Sequence, residues 1–193
     1  MPKSLFHPVK IGTESFALLD LTHPRVEKEI MDEMSTGVSV YYDVRWDITE
    51  VFTDWLAENL DLFEDKRVLI LGAGIGAETL ILGRHAEQIW INDLSPTALS
   101  LCQEQLAENN IKNATSLVGR YEQLALPKVD LVVASFLVYN DETYQAISAF
   151  MDSHHGDFIL VNESLAPFPK LLSERSHQIL FKKDAAIGVL FHS

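Results

Sequence analysis

From Asp47 onward the apolar residues follow two alternating rhythms. Ile48, Val51, Phe52, Trp55 and Leu56 recur at i, i+3, i+4, i+7 and i+8, one apolar stripe on a helix that stops at Asn59. Val68–Leu71 is then an unbroken apolar run, suited to a strand buried on both faces. The alternation continues with a helix over Ala77–Leu82 and a strand over Ile89–Ile91. Ser95 and Pro96 form an N-cap and a first-turn proline, opening a helix that turns Ala98, Leu99, Leu101, Cys102 and Leu106 inward and ends at Asn109-Asn110. Strands at Ser116–Val118, Leu131–Ala134 and Phe158–Val161 follow, with a helix over Glu142–Met151 between the last two.

The two ends of the chain break this rhythm. The first forty-odd residues are irregular, with a strand expected at Phe16–Leu19 and a helix near Val26–Met34 started by Pro24. At the other end, Gln178–Phe181 and Ala185–Phe191 flank the short turn Lys182-Lys183-Asp184, and so tight a connection demands antiparallel pairing. The expected fold is therefore α/β: a single doubly wound domain with a mostly parallel seven-stranded sheet ending in an antiparallel hairpin. Residues 1–46 are expected to be an N-terminal extension or lid, and 47–193 the cofactor-binding domain.

Composition narrows the classes. With 193 residues, 47% of them hydrophobic, the chain suits one domain with a full core, and no apolar run reaches the roughly 18 residues of a membrane span. The single cysteine, Cys102, cannot form an internal disulfide, so a reducing, cytoplasmic setting is expected. A formal net charge of −13 argues against nucleic acid and anionic membrane as partners and suits a cationic acceptor. The seven histidines form no metal-ligand pattern, so no metal is expected. His154-His155 reads as a solvated loop, and no nucleophile elbow is present.

The chemistry concentrates where the first central strand ends. Gly72-Ala73-Gly74-Ile75-Gly76 follows Val68–Leu71, and Asp93 closes the next strand about 20 residues on. Glycines there let backbone approach a nucleotide-like ligand, and the acid can accept from both ribose hydroxyls. Gly72, Gly74 and Ala77 satisfy the dinucleotide pattern, while Gly72, Gly74 and Gly76 satisfy the turn associated with S-adenosylmethionine. The short chain leaves little room for the substrate domain of a dehydrogenase, which favours the methyl donor.

Five strand–helix units followed by a terminal hairpin resemble the seven-stranded class I methyltransferases over Asp47 to Phe191. Three segments look like a narrower group, the protein lysine methyltransferases related to the enzyme of the electron transfer flavoprotein β-subunit. These are Arg45-Trp46, Ile91-Asn92-Asp93-Leu94-Ser95-Pro96, and Asp130-Leu131-Val132-Val133 leading to Tyr139-Asn140-Asp141. The resemblance implies methyl transfer from S-adenosylmethionine to a protein side chain, lysine included, with a small-molecule amine as the alternative acceptor. One departure stands out: that group carries an acid where this chain has Phe136. A nicotinamide-dependent oxidoreductase and a non-catalytic module binding S-adenosylmethionine are the rival classes.

On this reading Gly72, Ala73, Gly74 and Gly76 meet the methionine end of the cofactor, Asp93 the ribose and Leu94 the adenine. Tyr121 or Glu122 serves the adenine edge. Ser135, Phe136 and Tyr139 lie over the methyl group, Tyr139 being the candidate catalytic residue. Tyr41, Tyr42 and Trp46 are candidates for a lid, with Trp46 counted among the cofactor contacts. Asn162-Glu163 is the nearest polar pair for a nucleophile.

Overall fold

A computed structural model describes residues 3–37 and 39–192; Met1, Pro2 and Val38 of the expected extension lie outside these. Its centre is β3 (Arg67–Leu71), whose residues alternate between two apolar layers. Val68 and Ile70 join one layer, Leu69 and Leu71 the other, and all four are at most 1% exposed. A strand apolar on both sides must be covered on both sides, and so it is. Over one face pack α2 (Asp47–Glu58), α3 (Glu78–His85) and α4 (Pro96–Glu108), whose inward residues Phe52, Leu80 and Cys102 share a cluster with Val68. Over the other lie α5 (Asp141–Ser153) and α6 (Phe168–Glu174), through Ile147, Phe150, Phe168 and Leu171.

Five strands run parallel: β3, β4 (Gln88–Asp93), β5 (Ala114–Val118), β6 (Leu131–Ser135) and β7 (Asp157–Glu163). With β8 (Gln178–Lys183) and β9 (Ala186–Phe191) the order is β5-β4-β3-β6-β7-β9-β8, so the chain changes direction of winding at β3. The carboxyl ends beside that switch point form the crevice in which ligands of open α/β sheets bind. The expected hairpin closes the sheet, β9 lying antiparallel between β7 and β8. Gly188 permits this, because the Phe181 ring lies across the position its Cβ would occupy.

Three local expectations need correction. Residues 6–19 form a separate two-stranded ribbon, β1 (Phe6–Ile11) against β2 (Glu14–Leu19), where the sequence pattern showed only the second strand. Pro8 hides β1 from pattern reading, but proline is tolerated in a ribbon whose strands are both edges. A short helix, α6, occupies a stretch for which no element was expected. Strand β7 continues through Glu163, two residues beyond the expected end, which draws Asn162 into the interior.

The N-terminal helix α1 (Pro24–Met34) packs Val26 and Ile30 with Leu19, Ala98 and Leu101, joining the extension to α4. Its Glu33 carboxylate accepts from Ser95 Oγ at 2.7 and 2.8 Å and from the Tyr42 hydroxyl. The extension is thereby tied to the residue that caps α4, two positions from Asp93.

Candidate functional site

The glycine turn sits between the ends of two neighbouring strands. Register pairs Leu71 with Asn92 on one side and with Ala134 on the other, so Asp93 and Ser135 flank Gly72. Gly72 and Gly74 have φ of +62° and +52°, a region costly for side-chain-bearing residues. A Cβ on Gly72 would come 2.5 Å from Leu137, and one on Gly74 would come 3.3 Å from Tyr42. The turn is pinned by Ala73 N–H donating to Asn92 O (2.9 Å) and Gly74 N–H donating to Asp93 Oδ2 (2.8 Å).

Asp93 also accepts from Ser95 N–H at 2.9 Å through Oδ1. Burial nonetheless outweighs these bonds and raises its pKa above the ordinary carboxylate value. Each oxygen keeps a lone pair after its backbone bond, so the carboxylate can still accept from two hydroxyls. Beside it, Asn92 is buried and donates to Leu117 O and Gly119 O, fixing the loop that carries Tyr121. Tyr121 packs edge-on to Phe150, while Arg120 pairs with Glu122 and Glu142.

At the opposite end lies an aromatic wall. Phe136 has φ of +53°, strained for a bulky residue, and its N–H donates to Val161 O at 2.8 Å. Its ring centroid is 5.3 Å from Trp46 and 6.3 Å from Tyr139, and Tyr41 lies 6.0 Å from Tyr139. Trp46 Nε1 donates to Tyr41 O at 2.9 Å, holding the segment from the extension against the wall. Tyr42 also lines the cavity, against Gly74, but it is buried with its hydroxyl on Glu33 and lies outside the aromatic wall.

All the expected contact residues line one cavity of about 830 Å³: Trp46, Gly72, Ala73, Gly74, Gly76, Asp93, Leu94, Tyr121, Ser135 and Tyr139. Asn162 does not reach it. Its amide accepts from Val138 N–H (3.1 Å) and donates to Val138 O (2.9 Å), so it braces the loop after β6 instead of meeting a nucleophile. His154 is no solvated residue either: it stacks on Phe150 at 5.3 Å, and burial lowers its pKa. The Cys102 thiol is buried and pushed up to about 12, too protonated for nucleophilic work. Among the described residues no group of three His, Cys, Asp or Glu could hold a metal ion, and no helix is long and apolar enough to cross a membrane.

Pattern reading missed Glu78. It stands in the first turn of α3 with a 3% exposed side chain, lines the cavity, and meets Ser135 Oγ at 3.3 Å through Oε1. Its Oε2 has no partner, and desolvation lifts the carboxyl to about 7. The available signal was a lone acid two residues beyond the third glycine.

A strained glycine turn, a carboxylate at the adjacent strand end and an antiparallel seventh strand together make the fold of the class I methyltransferases. Residues 68–155, from β3 through α5, match the methyltransferase domain family. The chain is 22% identical over 108 residues to the "Probable ribosomal RNA small subunit methyltransferase A" of Methanosphaera stadtmanae, covering 56% of this chain and 40% of that protein. It is 28% identical over 87 residues to protein arginine N-methyltransferase 1 of Saccharomyces cerevisiae, covering 44% of this chain and 25% of that one. The chain thus spans less than half the length of these relatives.

Among solved structures, the 16S rRNA N2 G1207 methyltransferase of T. thermophilus, in complex with AdoMet and guanosine, is similar over 99% of this chain and 51% of its own. Its TM-score is 0.72 at 19% identity. The ribosomal protein L11 methylase of Lactobacillus delbrueckii subsp. bulgaricus gives 0.62 at 22% identity over 75% and 80% of the two chains.

Two expectations change. The matched proteins are named for ribosomal RNA, ribosomal protein and arginine methylation, so the narrower resemblance to lysine methyltransferases gains no support. The exclusion of nucleic acid is overturned by the ribosomal RNA enzymes among the proteins similar to this chain. Net charge sums the whole chain, whereas a base is bound at one local pocket, so −13 does not bear on that pocket.

Proposed function

We propose that this chain methylates an amino nitrogen of a flat acceptor, a nucleobase of ribosomal RNA, with S-adenosylmethionine as donor. The reading rests on one observation: a single cavity runs from the Asp93 carboxylate past the glycine turn to the wall of Trp46, Phe136 and Tyr139. Bound there, S-adenosylmethionine supplies a methyl group on a positively charged sulfur, already activated for transfer. Gly72, Ala73, Gly74 and Gly76 would leave backbone open to its amino-acid end, Asp93 would accept from the ribose, and Leu94 and Tyr121 would flank the adenine. The acceptor stacks on Phe136 and Tyr139, aromatic faces that suit a base extruded from its stack. The rings would exclude water from an acceptor held there and orient its nitrogen toward the methyl donor. Tyr139 remains the candidate for contact with the reacting nitrogen. Support from outside the chain comes from the named activities of the ribosomal RNA enzymes it resembles.

A protein side-chain amine, lysine included, is the second reading. Glu50, Asp54 and Glu142 line the cavity, and electron-rich rings attract cations. In either case residues 1–46 serve as the lid over domain 47–193, and the buried single thiol suits a cytoplasmic setting. The test is transfer of tritiated methyl from the donor to ribosomal subunits. Label resistant to protease and sensitive to nuclease supports the first reading, and the reverse supports the second. Donor binding without label in either fraction leaves a binding module. Saturable nicotinamide binding with no response to the donor overturns the class of chemistry.

A further inference from the structure

Glu78 is a buried carboxyl with an unpartnered oxygen on the wall of a cavity proposed to receive a cation-bearing cofactor. Among the described residues nothing bonds to that oxygen. Its one side-chain donor is Ser135, and its Oε2 lies where a Cβ on Gly76 would fall, beneath the glycine turn. From α4 it faces Cys102, and from the end of β4 Asp93 acts in the same neighbourhood. Glu50 and Asp54 of α2 line the same cavity, as do Lys10 and Arg45, yet no basic side chain among the described residues bonds to Glu78. The basic side chains on its own helix, Arg84 and His85, are held by Glu14.

Resting on the reading above, we propose that Glu78 binds the α-ammonium group of the cofactor's amino-acid end and releases its own proton to solvent when that cation arrives. The unfilled acceptor beneath Gly76 is where a donor would be received, and a carboxylate is the side-chain acceptor that best matches an ammonium ion. Without ligand, the dry surroundings keep the carboxyl protonated up to about pH 7. An ammonium ion beside it reverses that preference, since an opposite charge favours the ionised form. Proton balance is complete: the ammonium enters charged, the carboxyl ionises, and one proton passes to buffer.

The experiment is isothermal titration of the wild-type protein in buffers of differing ionisation enthalpy, with three probes. S-Adenosylmethionine and S-adenosylhomocysteine carry the ammonium; 5′-methylthioadenosine lacks the amino acid. At pH 6 the first two should release close to one proton and at pH 7 about half, following the free carboxyl's value of about 7. Methylthioadenosine should release none. Glu78→Gln should abolish the release and weaken the two amino-acid-bearing ligands on the order of 10- to 100-fold, leaving methylthioadenosine within about 2-fold. If all three bind and none releases a proton, or if methylthioadenosine releases as many as the others, the role of Glu78 is refuted. If none binds, it is the methyltransferase reading that fails.

Discussion

Glu78→Gln keeps the shape of the side chain and removes its charge, which makes ligand-free stability a direct measure of what burying that carboxyl costs. The folded-state pKa of about 7 stands against an ordinary value of 4.5. A difference of about 2.5 units corresponds to about 3 kcal/mol between the protonation states. Because the folded pKa is the higher, the folded state binds the proton more tightly, and stability falls as pH rises from about 4.5 to about 7. Above that window the full cost is present; below it there is none. Glutamine carries no such dependence. Urea unfolding at pH 5 and pH 8 should therefore show the variant gaining on the wild type by about 2–3 kcal/mol between the two conditions, while contributions from other titrating groups cancel in the comparison. An advantage equal at both pH values would refute the reasoning, since it would mean that Glu78 ionises in the folded protein as easily as in water.

Asp93→Ala removes the acceptor for the Gly74 and Ser95 amides together with the expected ribose contact. Affinity for S-adenosylmethionine and methylthioadenosine alike should drop by on the order of 2–3 kcal/mol by calorimetry, and unchanged affinity would take the acid away from the ribose. Phe136→Ala opens the aromatic wall, so turnover of the acceptor should fall at least about tenfold while donor affinity moves by less than about threefold; the opposite split would put Phe136 on the cofactor. Asp130 is held at about 2 by Arg67, which donates through its backbone N–H, Nε and a terminal nitrogen at 2.9, 3.1 and 2.9 Å. The pair is nearly half exposed, so Asp130→Asn should cost under about 1 kcal/mol at neutral pH. The folded pKa is the lower one, so that loss should vanish in urea titrations as pH falls from about 4 to 2, and a loss persisting at pH 2 would exclude the ion pair as its source.

Legibility varied with how local each cause was. Val68–Leu71 advertised a doubly covered strand because four successive apolar side chains can be buried only if both faces are. Ser95-Pro96 advertised a helix start because its cap bond, Ala98 N–H to Ser95 Oγ, spans three residues. By contrast β1, with Pro8 and mixed polarity, is a strand only because β2 lies beside it. Tyr41 and Tyr42 are equivalent in composition, yet one joins the aromatic wall and the other the core, a choice made by Glu33 on a helix that begins seventeen residues earlier. The acidic total misled about nucleic acid for a related reason: a sum over the chain says nothing of how charge is distributed around a pocket.

Acting alone, the order of residues determined the winding of strands and helices, the glycine turn and the carboxylate beside it. Each depends on neighbours within a turn or a strand, and each is enforced by solvent exclusion or backbone sterics that act at short range. Folding in three dimensions decided the rest. It drew Asn162 into a brace, set Trp46 against Phe136 across ninety residues of chain, and closed Glu78 away from water with one oxygen unmatched. Burial is a property of everything packed around a group, so the charge state of that carboxyl belongs to the assembled fold.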